Sequence, residues 1–332
     1  MRRLALLAAT FALAAFAVGM IARAPAAQTA RGTYEACRSG EDTISASSLP
    51  ENVSLRRCPV GERVITDHGV GTVLPDPGQS IFVDATTTEG SQEFDVTHYT
   101  DGTVELNYVG DETAQSESGI GTAARGPGEC SDIKFYQPKP KYKVYVVLRQ
   151  YFNPRTTPNE LSRKGAVSAI RRGTADIYNT RNNCGMGDRV PKGAGMSYEG
   201  SVKVRAQVGT GGGCTGNDQK SVVSFGTLPE SALAVTCTVR QLQHGLDRTK
   251  WSDVMINKAH YRWTTRPRAR SCKGKYDLES ILAHERGHTF GLGHVSESSH
   301  GNLTMSDTSN GPCQSSERSL GRGDVLGLGH KY

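Results

Sequence analysis

His284-Glu285-Arg286-Gly287-His288-Thr289-Phe290-Gly291-Leu292-Gly293-His294 sets three imidazoles, a carboxylate and a turn glycine at spacings that decide how the second half of this chain folds. On an α-helix, residues four apart stack on one face, so His284 and His288 project together and can grip one metal ion. Glu285 follows the first ligand, where it reaches a water on that ion without ligating it. Gly291 tolerates the backbone conformation that stops the helix and turns the chain. His294 then swings back as a third nitrogen ligand. Three protein ligands leave a fourth position open, which marks a catalytic rather than a structural zinc site. Five fixed positions recur by accident in a chain of this length with odds on the order of 10⁻⁴.

Leu303-Thr304-Met305-Ser306-Asp307 follows shortly after the third histidine. The pattern His-Glu-x-x-His-x-x-Gly-x-x-His with a methionine turn behind it resembles the metzincin clan of zinc endopeptidases. Met305 matches the methionine that floors the three histidines in that clan. Gly-Leu-Gly-His at 291–294 is most similar to the matrixins, and Gly323-Asp324-Val325-Leu326-Gly327-Leu328 resembles their last helix. The stretch 130–332 as a whole resembles secreted matrixin-like proteases of actinobacteria. It departs from them at Ser306, where matrixins carry an aromatic residue and proline.

The resemblance implies an α+β fold of metzincin type: a mixed twisted sheet with one antiparallel edge strand, two main helices and a C-terminal helix. The strand near Leu233–Arg240 would be that edge and bind an extended peptide by β-augmentation. Hydrolysis would use a zinc-activated water, with Glu285 as general base. Matrixins often bind calcium, for which Asn217 and Asp218 offer oxygens, although without a dense carboxylate loop a solvated turn is the competing reading.

The 332 residues suffice for one large or two modest domains. Arg2 and Arg3 precede an apolar run from Leu4 to Ala22, and Ala24-Pro25-Ala26 supplies small residues before a cleavage point, so residues 1–26 read as a secretory signal peptide. An uncleaved anchor is the alternative. Eight cysteines remain after it, an even count that argues for disulfides in a secreted protein. Spacing suggests Cys37–Cys58, Cys184–Cys214, Cys237–Cys272 and Cys130–Cys313. The net charge of +6 includes three arginines of the signal. The Arg266, Arg268, Arg270 cluster reads as a solvated loop, not a nucleic-acid site. Arg322-Gly323-Asp324 spells an adhesion tripeptide inside the expected last helix and is discounted.

Residues 27–128 form a β-rich N-terminal region, either propeptide or accessory domain, and 129–332 the catalytic domain. Alternation predicts strands at Arg63–Thr66, Ser80–Val83, Glu93–Tyr99 and Thr103–Val109, and composition makes 116–128 a linker. Arg57-Cys58-Pro59-Val60-Gly61 only partly echoes an inhibitory cysteine motif. His68, His98 and the acidic residues of this region are other candidates for blocking the metal. Further on, strands are expected at 144–148, 202–208, 222–225, 233–239 and 254–263. A helix is expected after Thr157, with Pro158 in its first turn and Glu160 completing a capping box. Asp277 should cap the metal-binding helix, with Glu279 near its dipole and Leu278, Ile281 and Leu282 facing the core. His244, His260, His300 and His330 read as ordinary surface or satisfied histidines.

The expectation is therefore a secreted, monomeric zinc endopeptidase acting on protein or peptide, with no nucleic-acid partner and no membrane after signal cleavage. The alternative is a non-catalytic, zinc-stabilised cell-surface or polymer-binding protein.

Overall fold

The computed structural model describes residues 33–34, 43–45, 53–56, 63–65, 70–88, 90–109, 126–138, 143–191, 193–216, 218–243 and 246–332. Its first eight strands are β1 (Thr33–Tyr34), β2 (Thr43–Ser45), β3 (Val53–Arg56), β4 (Arg63–Ile65), β5 (Gly71–Val73), β6 (Gln79–Thr87), β7 (Ser91–His98) and β8 (Thr103–Val109). After them come β9 (Lys143–Phe152), helix α1 (Arg163–Tyr178), β10 (Gly195–Ser201), β11 (Ser221–Gly226), β12 (Ala232–Gln241) and β13 (Leu246–Asn257). The chain ends with β14 (Trp263–Thr264), β15 (Tyr276–Asp277), α2 (Leu278–Thr289), the short α3 (Glu297–His300) and α4 (Arg322–Lys331).

The architecture is α+β around a large mixed sheet in the order β1-β3-β8-β7-β6-β12-β13-β11-β9-β10. β9 shows how sequence builds it: in Lys143–Phe152 Val144, Val146, Leu148, Gln150 and Phe152 are buried while their neighbours are more exposed, the period-two pattern of a pleated strand. β9, β10, β11 and β13 run parallel. β12 pairs antiparallel with β13 on one side and with β6 on the other. β6, β7 and β8 then follow as an antiparallel meander.

The expected edge strand is thus corrected. Leu233–Arg240 is an interior strand, because β6 pairs along it from Ala232↔Thr87 to Gln241↔Gln79. One sheet runs through residues on both sides of the expected boundary at 128.

Two further expectations are corrected. Helix α1 begins at Arg163, and its N-cap is Ser162, whose Oγ accepts the Gly165 N–H at 3.0 Å. Thr157 instead closes a short 3-10 turn over Pro154–Thr156, and Glu160 accepts the Trp263 N–H at 3.2 Å. A capping box is a local signal, and a tertiary partner has claimed its carboxylate. At 202–208 no strand forms; β10 precedes it, and Asn153 Nδ2 donates to the carbonyls of Lys203 and Val204, both at 2.9 Å. Those carbonyls are satisfied by a side chain instead of a neighbouring strand.

Apolar side chains gather in three clusters. Val83, Phe94, Val96 and Val235 pack on one side of the sheet. Phe152, Ile170, Val254 and Leu282 join α1 and α2 to the other. Val146, Phe290, Met305, Val325 and Leu328 surround the end of α2. Disulfides join Cys130–Cys184, Cys214–Cys237 and Cys272–Cys313. The expected Cys184–Cys214, Cys237–Cys272 and Cys130–Cys313 pairs are therefore wrong, since sequence spacing does not say which loops meet. Cys214, for instance, bridges next to Thr72 and reaches β12. Cys37–Cys58, the linker up to 125 and residues 1–26 lie outside the described residues. Among the described residues no helix is long and apolar enough to cross a membrane, and disulfides are typical of extracellular proteins.

Candidate metal centre

Helix α2 starts where Asp277 accepts the Ser280 N–H at 3.1 Å. Glu279 in its first turn takes Arg172 at 2.5 Å and Arg318 at 3.2 Å. Leu278, Ile281 and Leu282 are buried, as the apolar spacing requires. Arg286, fully buried, anchors the helix to the sheet: Nε donates to Gln150 at 3.1 Å, and Nη1 reaches the Ser252 carbonyl and hydroxyl at 3.2 Å. His284 and His288 leave the same face. The helix stops at Phe290, and Gly291 turns the chain at φ +89°, a conformation that side-chain-bearing residues rarely adopt. His294 returns to the helix. Its Nε2 lies 2.8 Å from His284 Nε2, which is 3.1 Å from His288 Nε2.

The three imidazoles converge through these nitrogens. His284 Nδ1 is 2.7 Å from the Thr304 carbonyl, and His288 Nδ1 is 2.9 Å from the Leu292 carbonyl. Carbonyls only accept, so both rings carry their proton on Nδ1 and present bare Nε2 lone pairs. Burial, reinforced by neighbouring His294, pushes His284 down to about 3. Burial likewise holds His288 well below the usual histidine range, with His294 and His284 adding to the effect. The rings are neutral, and converging lone pairs suit a cation.

Asp84 of β6 completes the group. Its carboxyl oxygens lie 3.2 Å from His288 Nε2 and 3.2 Å from His294 Nδ1. Asp84, His284, His288 and His294 form one set of ligand atoms within 4.8 Å of each other, able to hold a metal ion. Both Asp84 oxygens are buried and lack a hydrogen-bond partner. Burial, then Glu93 and Glu285 nearby, raises its pKa well above the carboxylate range. An orphaned carboxylate facing His294 and the two neutral imidazoles of His284 and His288, with two more carboxylates close by, fits a divalent cation.

Around this group, Glu93 of β7 accepts the His294 backbone N–H at 2.5 Å and lies 2.9 Å from its Nδ1. Glu285 is fully buried beside the ligands. Thr86 donates to its Oε1 at 2.7 Å and Thr236 to its Oε2. Burial pushes the Glu285 carboxyl up, against the pull of those two hydroxyls. Met305 packs under the helix so closely that a Cβ on Gly287 would sit 2.2 Å from its Sδ. Asp324 holds the methionine turn, accepting the N–H groups of Thr304 and Gly321 at 2.8 Å and of Met305 at 3.2 Å. Asp324 is 1 % exposed, so the adhesion tripeptide is not displayed.

The structure thus brings His284, Glu285, His288, Gly291, His294 and Met305 into one place. Sequence reading named the acidic residues of the N-terminal region only collectively, as candidates for blocking the metal, without singling out Asp84 or Glu93, and it missed Thr86, Thr236 and the close approach at Gly287. Ile81-Phe82-Val83-Asp84-Ala85 held one legible signal, a lone carboxylate in an otherwise apolar strand. Elsewhere, Asp218 accepts the Lys220 N–H at 3.0 Å as a turn does, and Asn217 lies outside the described residues. His98 meets the Pro75 carbonyl at 2.8 Å and His300 meets Asp132 at 2.8 Å. His68, His244 and the side chain of Cys58 lie outside the described residues. No family model matches this chain, and no curated protein matches it.

Proposed function

We propose that this chain is a secreted zinc endopeptidase of metzincin type, similar to the matrixins. The observation that carries this reading is the convergence of three Nε2 atoms beside a buried Glu285 that stands outside the ligand group. Zinc bound there would supply Lewis acidity and lower the pKa of water. Glu285 then takes the proton of the attacking water and hands it to the leaving amine, and its raised pKa suits that exchange near neutral pH. The Thr236 hydroxyl orients its carboxylate. Asp324 fixes the turn whose Thr304 carbonyl accepts the hydrogen bond from His284 Nδ1, and Met305 packs beneath the helix.

Glu285→Gln is expected to retain the metal and to lose about 10²–10⁴-fold in peptide hydrolysis. Both are measured before and after limited proteolysis between residues 109 and 126, and undiminished hydrolysis by the variant would overturn the assignment. One observation favours a second reading. Asp84 makes the ligand set four protein groups, the count of a structural site, as in a non-catalytic, zinc-stabilised cell-surface or polymer-binding protein. Metal binding without hydrolysis, in cut as well as intact protein, would establish that reading.

A further inference from the structure

Arginines from separate segments of the chain converge on one cavity at the capped end of α2, away from the three histidines. The cavity measures about 530 Å³ and is lined by Arg181, Arg266, Arg268 and Arg318, with Glu129 the single acid in its lining. Arg181 follows α1, Arg266 and Arg268 lie between β14 and β15, and Arg318 precedes α4. No residue of β1 to β8 takes part.

Two of the four charges are already answered. Arg318 donates to both Asp277 oxygens at 2.6 Å and lies 3.2 Å from Glu279. Arg181 meets Asp176 at 3.0 Å. Among the described residues neither Arg266 nor Arg268 forms an ion pair. Both are exposed. Ser319 adds a further donor, since its Oγ is buried and has no hydrogen-bond partner.

The walls of the cavity are held in place. Arg266 and Arg268 flank Pro267 in a turn closed by the Ala269 N–H, which donates to the Arg266 carbonyl at 3.0 Å. Proline presets the backbone at that position of a turn. The Arg266 N–H donates to Thr264 Oγ1 at 2.9 Å. Cys272–Cys313 staples this segment to the one that carries Ser319, and Cys130–Cys184 joins the neighbours of Glu129 and Asn183. The Leu320 N–H donates to the Arg181 carbonyl at 2.8 Å, which closes the ring of segments. Like charges gathered this way repel one another, and here disulfides and a proline turn resist that repulsion.

We propose that this cavity is a second binding site, for a small ligand carrying two or more phosphate or sulfate groups. A guanidinium presents a planar fork of donors that matches such oxyanions bidentately. Arg266 and Arg268 supply two unpaired forks, and Ser319 supplies a hydroxyl. The volume falls within the span of small-ligand pockets, about 300–1,000 Å³, and leaves room for a frame that joins the anionic groups. The site shares no residue with the candidate metal group and does not depend on the metallopeptidase reading.

The test is calorimetric titration of the full, metal-loaded chain with fructose 1,6-bisphosphate and with a disulfated disaccharide. Wild type should bind at least one of them, and more weakly as salt rises. Arg266→Gln and Arg268→Gln should each lower the affinity about tenfold, the scale of one charge-assisted contact. Arg270→Gln is the control, because Arg270 belongs to the same arginine run but is absent from the lining. Its affinity should equal that of wild type. All three side chains are exposed, so their replacement leaves the core intact. Preference between the probes tells a phosphorylated ligand from a sulfated one. Failure of wild type to bind either probe would overturn the site. An equal loss in Arg270→Gln would reduce it to diffuse surface charge, and tighter binding of a triglutamate peptide would remove the oxyanion chemistry.

Discussion

The candidate metal centre draws on two regions of unlike character. One is the eleven-residue run from His284 to His294, in which helix geometry alone puts two rings side by side and a glycine turn returns the third. The other is the β6–β7 hairpin, which delivers Asp84, Thr86 and Glu93 from about two hundred residues upstream. The first region arranges its groups through bonds of short sequence separation; the second does so only because β6 has paired with β12. Chemistry encoded locally can be read as a motif. Chemistry that arrives through strand pairing cannot, because any strand with the right alternation is a candidate partner.

Breaking the local half should have the largest effect. His288→Ala removes a candidate ligand whose ring is wholly buried, and on the proposed reading the variant should bind zinc too weakly to be stabilised by it. At metal a thousandfold above its dissociation constant, the wild type holds about 4 kcal/mol that the variant forfeits. Urea unfolding with and without zinc measures this, and an equal zinc effect on both proteins would refute it. The distant half should matter less but measurably. Glu93→Gln keeps the shape of the side chain but not its charge beside His294, and zinc affinity should fall about 10–100-fold, read by competition with a chromophoric chelator.

Gly287→Ala sharpens the contrast inside the motif itself. The added methyl meets Met305 Sδ, so overpacking should lower stability by about 1–3 kcal/mol while leaving the ligand set complete. Unfolding of metal-free protein isolates that loss.

The smallest effect lies away from the metal, in the segment after the methionine turn. Glu317 is fully buried, accepting the Asn310 backbone N–H at 2.9 Å and its side-chain Nδ2 at 3.1 Å. Burial, with Glu297 and Asp277 adding to it, raises its pKa from 4.5 to about 7. The folded chain thus keeps a proton that the unfolded chain releases. Its contribution to stability is complete below pH 4.5 and lost as pH rises through 7. Glu317→Gln, permanently neutral, should flatten the fall in stability between pH 5 and 8 by on the order of 1 kcal/mol. Identical pH profiles for variant and wild type would show that the group does not titrate this way.

Much of the fold was legible in the residues. The strands at β7 and β8 follow from alternation, those at β9, β11 and β12 were expected near where they lie, and α2 follows from Asp277, its apolar spacing and Gly291. Other features were not. Thr157 and Glu160 carry a helix-start pattern that lost to Ser162 because Glu160 bonds Trp263 across the fold. The cysteine pairs were mistaken because pairing follows which loops face each other. Leu233–Arg240 was expected at an edge because the resemblance implied one, and nothing local in it reveals that Gln79–Thr87 lies alongside.

By itself the sequence determined the convergence of the three histidines and the placing of Glu285 next to them, since 3.6 residues per turn and one left-handed glycine leave little choice. Only the tertiary structure decided what occupies the fourth position and both oxygens of Glu285. That outcome depends on a long-range strand register, in which a shift of one residue would turn Phe82, Asp84 and Thr86 away from the site.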